Sequence, residues 1–315
     1  IVVGILSSSW LMHSVEVHDE FFILLQLVVL GAGVLVMSDH FASLFLGFEL
    51  LSIALVGMVG YSRDCQYSVE SSFKYLILSA SASSFMLLGI AFIYSQSGSL
   101  SFAVELEPVY SVFYSSGILL FLVGVAFKLS FAPFHLWTPD VYQGAPTPVT
   151  LLLATVSKVA MFVVLMKFWF SQPLLVFDNG GVNSTINLIG SFAILSMLVG
   201  NILALRQQNI KRLLAYSSIA HMGYLLIVLM IILPQSVNLA WQSALFYLSA
   251  YVLATLSLFI VIQITQGHCE GNEQCISDWQ GMFWKNRLLA MLVIVAILSL
   301  AGIPVTPGFI GKFYC

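Results

Sequence analysis

The sequence predicts an all-α protein that crosses a membrane many times, and three observations lead there. Of 315 residues, 60% are hydrophobic and 8% charged, with a mean hydropathy of +1.00. The apolar residues collect into nine runs of the roughly 17–25 residues that cross a hydrocarbon core. A few charged groups, Glu49, Lys74, Lys128, Lys158 and Lys312, lie inside apolar segments. A charge at mid-bilayer costs at least about 2.5–3.5 kcal/mol. Groups retained at that cost pair, line a wet path or pass a proton, so the third observation points to ion or proton movement.

Taken in order, the apolar stretch 1–12 is too short to span. Spans follow near 21–38, 41–60, 71–95, 109–133, 149–171, 185–205, 213–233, 241–266 and 287–303, and a last apolar piece begins at Gly308. Almost the whole length is membrane, which leaves no room for a soluble domain. The run Ser79-Ala80-Ser81-Ala82-Ser83-Ser84 is explained by packing, because small residues let membrane helices approach closely. The chain opens on Ile1 without an initiator Met, shows no signal-peptide pattern, and stops at Cys315 inside an apolar run. It reads as an internal piece of a longer protein.

The net charge of −3 carries little information, but the placement of the cations carries more. If the spans alternate, loops 13–20, 61–70, 206–212 and 267–287 share one side and carry Arg63, Arg206, Lys211, Arg212, Lys285 and Arg287. Loops 96–108, 172–184 and 234–240 contain no Lys or Arg, although Lys167 lies near a helix end on that side. The positive-inside rule puts the first set in the cytoplasm or the mitochondrial matrix. This alternation requires that the Pro-rich stretch 133–148 add no odd crossing. Cys65, Cys269, Cys275 and Cys315 form no C-x-x-C pair, and His268 beside Cys269 fits no zinc spacing, so no metal is expected.

Two apolar segments are interrupted by proline in comparable places. One runs from Phe127 and Lys128 through Pro133, His135 and Pro139 to Asp140; the other runs from Leu300 through Pro304 and Pro307 to Lys312. Proline removes a backbone donor and clashes with the preceding turn. In lipid, the freed groups are tolerated only where protein or a wet cavity satisfies them. Broken helices in two halves of one chain point to a transporter's ion path. The bland alternative is a pair of ordinary kinks, but a lysine adjoins each break.

The ionisable groups then form a candidate line. Glu49, near the centre of its span, is read as a partner of Lys74, either as a fixed ion pair or as a switchable one; burial favours the neutral form of both acid and amine. Lys128 and His135 flank the first break, and histidine can both donate and accept a proton near neutral pH. Lys158 follows Thr155 and Ser157, whose hydroxyls either hold water beside it or simply bond the backbone. Lys312 follows the second break, whereas Lys167 can snorkel. His221 is expected to be a packed, hydrogen-bonded histidine. No nucleotide loop, iron–sulfur cysteine cluster or haem pair is present, so any driving force comes from an ion gradient or a partner subunit.

The stretch from Phe127-Lys128-Leu129-Ser130 through His135-Leu136-Trp137-Thr138-Pro139-Asp140 to Pro148 resembles the broken helix of the N subunit of bacterial NADH:quinone oxidoreductase, respiratory complex I. The mitochondrial counterpart is NADH dehydrogenase subunit 2. Residues 44–60 around Glu49, Lys74 to Ser84, and Asn209 to Ser218 agree as well, and the wording of the broken helix and Lys312 favour N over its L and M relatives. The resemblance implies a polytopic antiporter-like fold of two inverted five-helix repeats, each with a proline-broken helix and about ten to eleven helices present. Residues 1–20 would form a partial helix and loop, 21–171 the first repeat with its break near 109–145, and 172–315 a truncated second repeat broken from about 287.

It further implies a proton relay through Glu49, Lys74, Lys128, His135, Lys158 and Lys312. In that scheme Glu49 sets the charge of Lys74, Lys128 and Lys158 hold the central proton, and Lys312 passes it on. No cofactor would be bound by this chain; NADH and quinone would be used by the whole complex. Its partners would be the other membrane subunits, the lipid bilayer and protons, with no nucleic acid. The wording of 135–148 leans towards a bacterial inner membrane over a mitochondrial one. Competing readings are a subunit of a Na⁺/H⁺ antiporter or a membrane-bound hydrogenase, and a structural spacer whose buried charges only pair.

Overall fold

A computed structural model describes residues 1–11, 18–62, 66–102, 112–171, 184–230, 237–265 and 275–314. The expectations placed on Arg63, Cys65, His268, Cys269, Cys315, most of loop 172–184 and residues 234–236 lie outside these residues. The described residues are helical over most of each predicted span and contain only two isolated β-bridges. The all-α membrane reading therefore holds.

The helices are α1 (Val2–Leu11), α2 (His18–Met37), α3 (Phe41–Val59), α4 (Gln66–Ser97), α5 (Val112–Leu129), α6 (Trp137–Gly144), α7 (Thr147–Ala154) and α8 (Val156–Phe170). They continue with α9 (Ser184–Ala204), α10 (Ile210–Leu226), α11 (Val237–Thr265), the single turn α12 (Met282–Lys285), α13 (Arg287–Ala301) and α14 (Pro307–Tyr314). Seven segments are long and apolar enough to cross a membrane: 19–37, 41–59, 66–97, 147–170, 186–204, 210–230 and 237–265. The two remaining predicted spans, 109–133 and 287–303, prove shorter, as α5 and α13. Both stop at a proline break, and α6 or α14 takes up the path beyond it.

Capping residues set several starts. His40 Nδ1 accepts from the Ala42 amide at the head of α3. Asn209 Oδ1 accepts from the Lys211 and Arg212 amides at the head of α10. Such caps satisfy donors that a helix N-terminus leaves unpaired. One interruption was not legible in the sequence. The expected span 149–171 is divided at Thr155, where ψ swings to −76° with φ at −111°. The Ala154 carbonyl accepts instead from the Tyr251 hydroxyl at 3.2 Å.

Small residues bring the helices together. A Cβ added at Gly89 of α4 would meet Phe121 N at 2.5 Å and Gly117 O at 2.6 Å, so α4 and α5 cross backbone to backbone. Gly200 and Gly223 give α9 and α10 the same intimacy, through Ala220 and Ala193. The helix ends fall into two groups. Ile276 N–H donates to the Gln208 carbonyl, and Arg212 bonds Asp140, which gathers 140–146, 206–212 and 275–287 at one end. Lys167 pairs with Asp39 at 3.0 Å, and Phe41 N–H donates to Leu100 O, which gathers 38–41, 98–102 and 167–171 at the other. Helices α5 and α6 thus make one broken crossing together, as the charge alternation required. Gly89→Val should cost about 1–3 kcal/mol through overpacking. The checks are a lower unfolding temperature in detergent and less chain retained in membranes.

Candidate functional site

The interior of the bundle is built around the two breaks. At the first, α5 ends and Ser130 adopts φ 63°, a left-handed conformation uncommon outside glycine. The carbonyls released there are recaptured: Phe131 N–H donates to Ala126 O at 2.8 Å, and Trp137 Nε1 donates to Phe127 O at 2.9 Å. The Ala132 amide donates to Ser196 Oγ of α9, and Thr138 Oγ1 donates to Ser130 Oγ. At the second break Gly302 (φ 78°) and Val305 (φ 81°) turn the chain. Gly302 N–H donates to Leu298 O and Ser299 O, and Lys312 Nζ donates to Leu300 O (2.8 Å) and Ala301 O (3.1 Å). Lys128 sits in the last turn of α5, and Lys312 caps the C-terminal carbonyls of α13. The negative end of a helix dipole favours a cation at either place.

Among the described residues Lys128 and Lys158 are the most deeply buried cations, 1% and 0% exposed, ahead of Lys211 at 7%. Lys128 Nζ donates to Ser52 Oγ of α3 at 2.7 Å and to the Tyr75 hydroxyl of α4 at 2.8 Å. It stands 5.0 Å from the Phe48 ring centroid. Glu49 lies on the same helix, one residue from Phe48 and three from Ser52, and closes no ion pair with Lys128. Lys158 Nζ donates to Ser218 Oγ of α10 at 2.7 Å and lies 5.7 Å from the Tyr142 ring centroid. Thr155 and Ser157 turn their hydroxyls back to the carbonyls of Leu151 and Leu153. Their role is therefore the backbone one, and the partner of Lys158 comes from another helix.

One expectation needs correction. Lys74 does not pair with Glu49. It is 43% exposed and pairs with Glu70 at 2.7 Å and Asp140 at 2.9 Å. Glu70 lies one turn earlier on α4, while α6 brings Asp140 to the same spot, so both carboxylates are nearer than the interior. His135 lies at the first break, as expected, and no hydrogen bond links it to Lys128 or Lys158 among the described residues. It is 7% exposed inside the break, its Nδ1 has no hydrogen-bond partner among the described residues, and Lys128 and Lys158 are held by other groups. Lys312 lies where the break reading placed it, 4.7 Å from the Tyr224 ring centroid.

Several participants were missed in the sequence. His221 Nδ1 meets the Tyr247 hydroxyl at 2.6 Å. It is the packed, hydrogen-bonded histidine expected. Ser52, Tyr75, Tyr142, Ser218, Tyr247 and Tyr251 are buried beside the charges. A usable signal existed for Tyr247 and Tyr251, since Tyr in a membrane protein gathers at the interfaces and these two lie well inside the span 241–266. Asp140 was noted only as the end of a motif. It accepts from Lys74 Nζ and from Arg212 Nη1 (2.8 Å), which ties α6 to α4 and α10. Lys211 Nζ adds a bond to Ala145 O at 3.0 Å.

These half-exposed pairs are screened, and exposed pairs are worth under about 1 kcal/mol each. Asp140→Asn should therefore leave the chain folded but loosen α6. The expected signature is faster amide exchange over 137–145 with little change in α3, and a difference that shrinks at high salt.

The chain matches the transmembrane family described as NADH:quinone oxidoreductase/Mrp antiporter over residues 38–315. A solved structure of respiratory complex I from Thermus thermophilus contains a chain 34% identical, with TM-score 0.80, over 99% of this chain and 68% of that one. A chain of the membrane-bound sulfane sulfur reductase, an archaeal respiratory membrane complex, is 25% identical with TM-score 0.85, over 96% of this chain and 60% of that one. A chain of the Mrp complex from Dietzia sp. DQ12-45-1b shares the fold at TM-score 0.80, with 20% identity over 92% of this chain and 53% of that one. With its broken helices, buried lysines and multi-pass architecture, the chain belongs to the NADH:quinone oxidoreductase/Mrp antiporter transmembrane family.

Proposed function

We propose that the chain is the N-type proton-translocating subunit of a respiratory NADH:quinone oxidoreductase, driven by quinone reduction elsewhere in the complex. Lysine pairing carries this reading. Lys74, Lys167 and Arg212, all partly exposed, are paired with carboxylates, which hold a cation in its charged form. Lys128 and Lys158, fully buried, are held by hydroxyls alone. A hydroxyl can accept from an ammonium or donate to a neutral amine. Ser52 and Ser218 donate to the Phe48 and Ala215 carbonyls, so the Tyr75 hydroxyl, and a Ser218 hydroxyl turned from its carbonyl, would let each site stand with or without its proton. A spacer built of paired charges would show the reverse.

In the proposed path Lys74 stands at the mouth, beside Glu70 and Asp140. Glu49 biases Lys128, and the proton passes to Lys158, then past His221 towards Lys312. His135 serves as a side branch through its unpartnered Nδ1. The higher identity to the complex I chain, 34% against 25% and 20%, supports this complex over the other two. NADH and quinone belong to the whole complex, and the other membrane subunits are the partners. The end bearing Arg206, Lys211, Arg212, Lys285 and Arg287 faces the cytoplasm or matrix by the positive-inside rule.

Lys128→Met and Lys128→Arg separate the readings, in membrane vesicles carrying the assembled complex. Arginine keeps the charge but cannot release its proton. Both variants should lower proton uptake several-fold relative to NADH oxidation. Normal coupling in the arginine variant would show that Lys128 supplies only charge, and a proton-carrying role would be lost.

A further inference from the structure

The reading above leaves a gap between Lys128 on α5 and Lys158 on α8, because no hydrogen bond joins them. Three buried hydroxyls lie in it. Tyr75 is wholly buried and accepts the Lys128 ammonium at 2.8 Å, and its own proton has no acceptor among the described residues. Tyr142, on α6 just past the break, is also wholly buried. Its ring lies beneath Lys158. Its hydroxyl approaches Ser218 yet makes no well-formed hydrogen bond, and it lies within electrostatic range of Tyr75. Ser218 in turn accepts from Lys158 and donates to the Ala215 carbonyl at 2.7 Å, so its hydroxyl must turn from that carbonyl to hand a proton on.

An unmade hydrogen bond on a buried hydroxyl costs about 1–3 kcal/mol, so two such groups on one route call for an explanation. Packing alone does not supply one. Phenylalanine would fill the same space and keep the ring beneath each lysine, without a buried polar atom. Trp137, which stacks near Tyr75 at 4.9 Å between centroids, has by contrast a partner for its N–H.

We propose that the Tyr75 and Tyr142 hydroxyls are proton-carrying groups joining Lys128 to Lys158, with a water molecule between the two tyrosines and Ser218 as the last step. This rests on the proton-translocating function proposed above. As the Lys128 ammonium gives its proton to the Tyr75 oxygen, the Tyr75 O–H proton leaves to water. Water gives one to Tyr142, Tyr142 gives its own to Ser218, and the Ser218 proton ends on the neutral Lys158 amine. Each hydroxyl gains one proton and loses one, so no phenolate remains and nothing is oxidised or reduced. Because Tyr142 rides on α6, the route also depends on how that half-helix is seated by Asp140 and Arg212.

The test uses Tyr75→Phe and Tyr142→Phe in the assembled complex, with proton uptake per NADH oxidised as the readout and Lys128→Arg alongside. Each tyrosine variant should lose proton uptake several-fold at normal complex content. Normal uptake in both, with Lys128→Arg still impaired, would overturn the tyrosine route and leave the lysine path standing. Normal uptake in all three would remove the path itself. If a phenylalanine variant assembles poorly, fluorotyrosine at the same position keeps the hydroxyl and the packing but makes the proton more acidic. The pH profile of proton uptake should then shift, and an unmoved profile would overturn the proposal.

Discussion

Hydrocarbon offers no hydrogen-bond partner, and the interior of this protein is organised by that fact. A continuous helix meets the constraint by itself. A broken one releases carbonyls that the protein must satisfy from within, and the two breaks do so differently. At the first, a backbone amide and the Trp137 indole recapture Ala126 and Phe127, so Lys128 is free to turn towards Ser52 and Tyr75. At the second, the lysine itself bonds the Leu300 and Ala301 carbonyls. The same residue type thus stands at both breaks in unlike circumstances: one lysine is held by hydroxyls and the other by peptide carbonyls.

The contrast between interior and periphery follows from the cost of charge. Where water reaches, Lys74, Lys167 and Arg212 settle beside Glu70, Asp140 and Asp39, and the pairs clamp helix ends at little energetic gain. Inside, a carboxylate at contact distance would lock a proton onto each lysine. Glu49 closes no salt bridge with Lys128, which is held by the Ser52 and Tyr75 hydroxyls instead. The clamp at Asp140 then has consequences beyond stability. It seats α6, which carries Tyr142 beneath Lys158, so the surface pairs and the buried line share one structural element.

Much of this architecture was legible from composition and pattern. Long apolar runs can only be membrane helices, prolines within two of them can only break or bend them, and buried lysines stand out against so apolar a background. Most of the spans, both breaks, the burial of Lys128 and Lys158 and the place of Lys312 just after the second break followed from those rules, which act along the chain. The family was legible too, because the residues around the first break are distinctive in their order.

Which groups meet is a different matter, settled by helix packing that no local rule records. Glu49 and Lys74 are close in sequence and looked like partners, yet α4 turns Lys74 outward to Asp140 and turns Tyr75 inward to Lys128. Ser218 reaches Lys158 from a helix sixty residues away, and Tyr251 takes up the carbonyl released at Thr155 from farther still. Sequence alone determines which residues must find partners in the bilayer, since burial and charge are properties of the residue and its neighbours along the chain. Tertiary structure decides which partners they find, because that depends on the rotation and crossing of helices whose contacts are long-range.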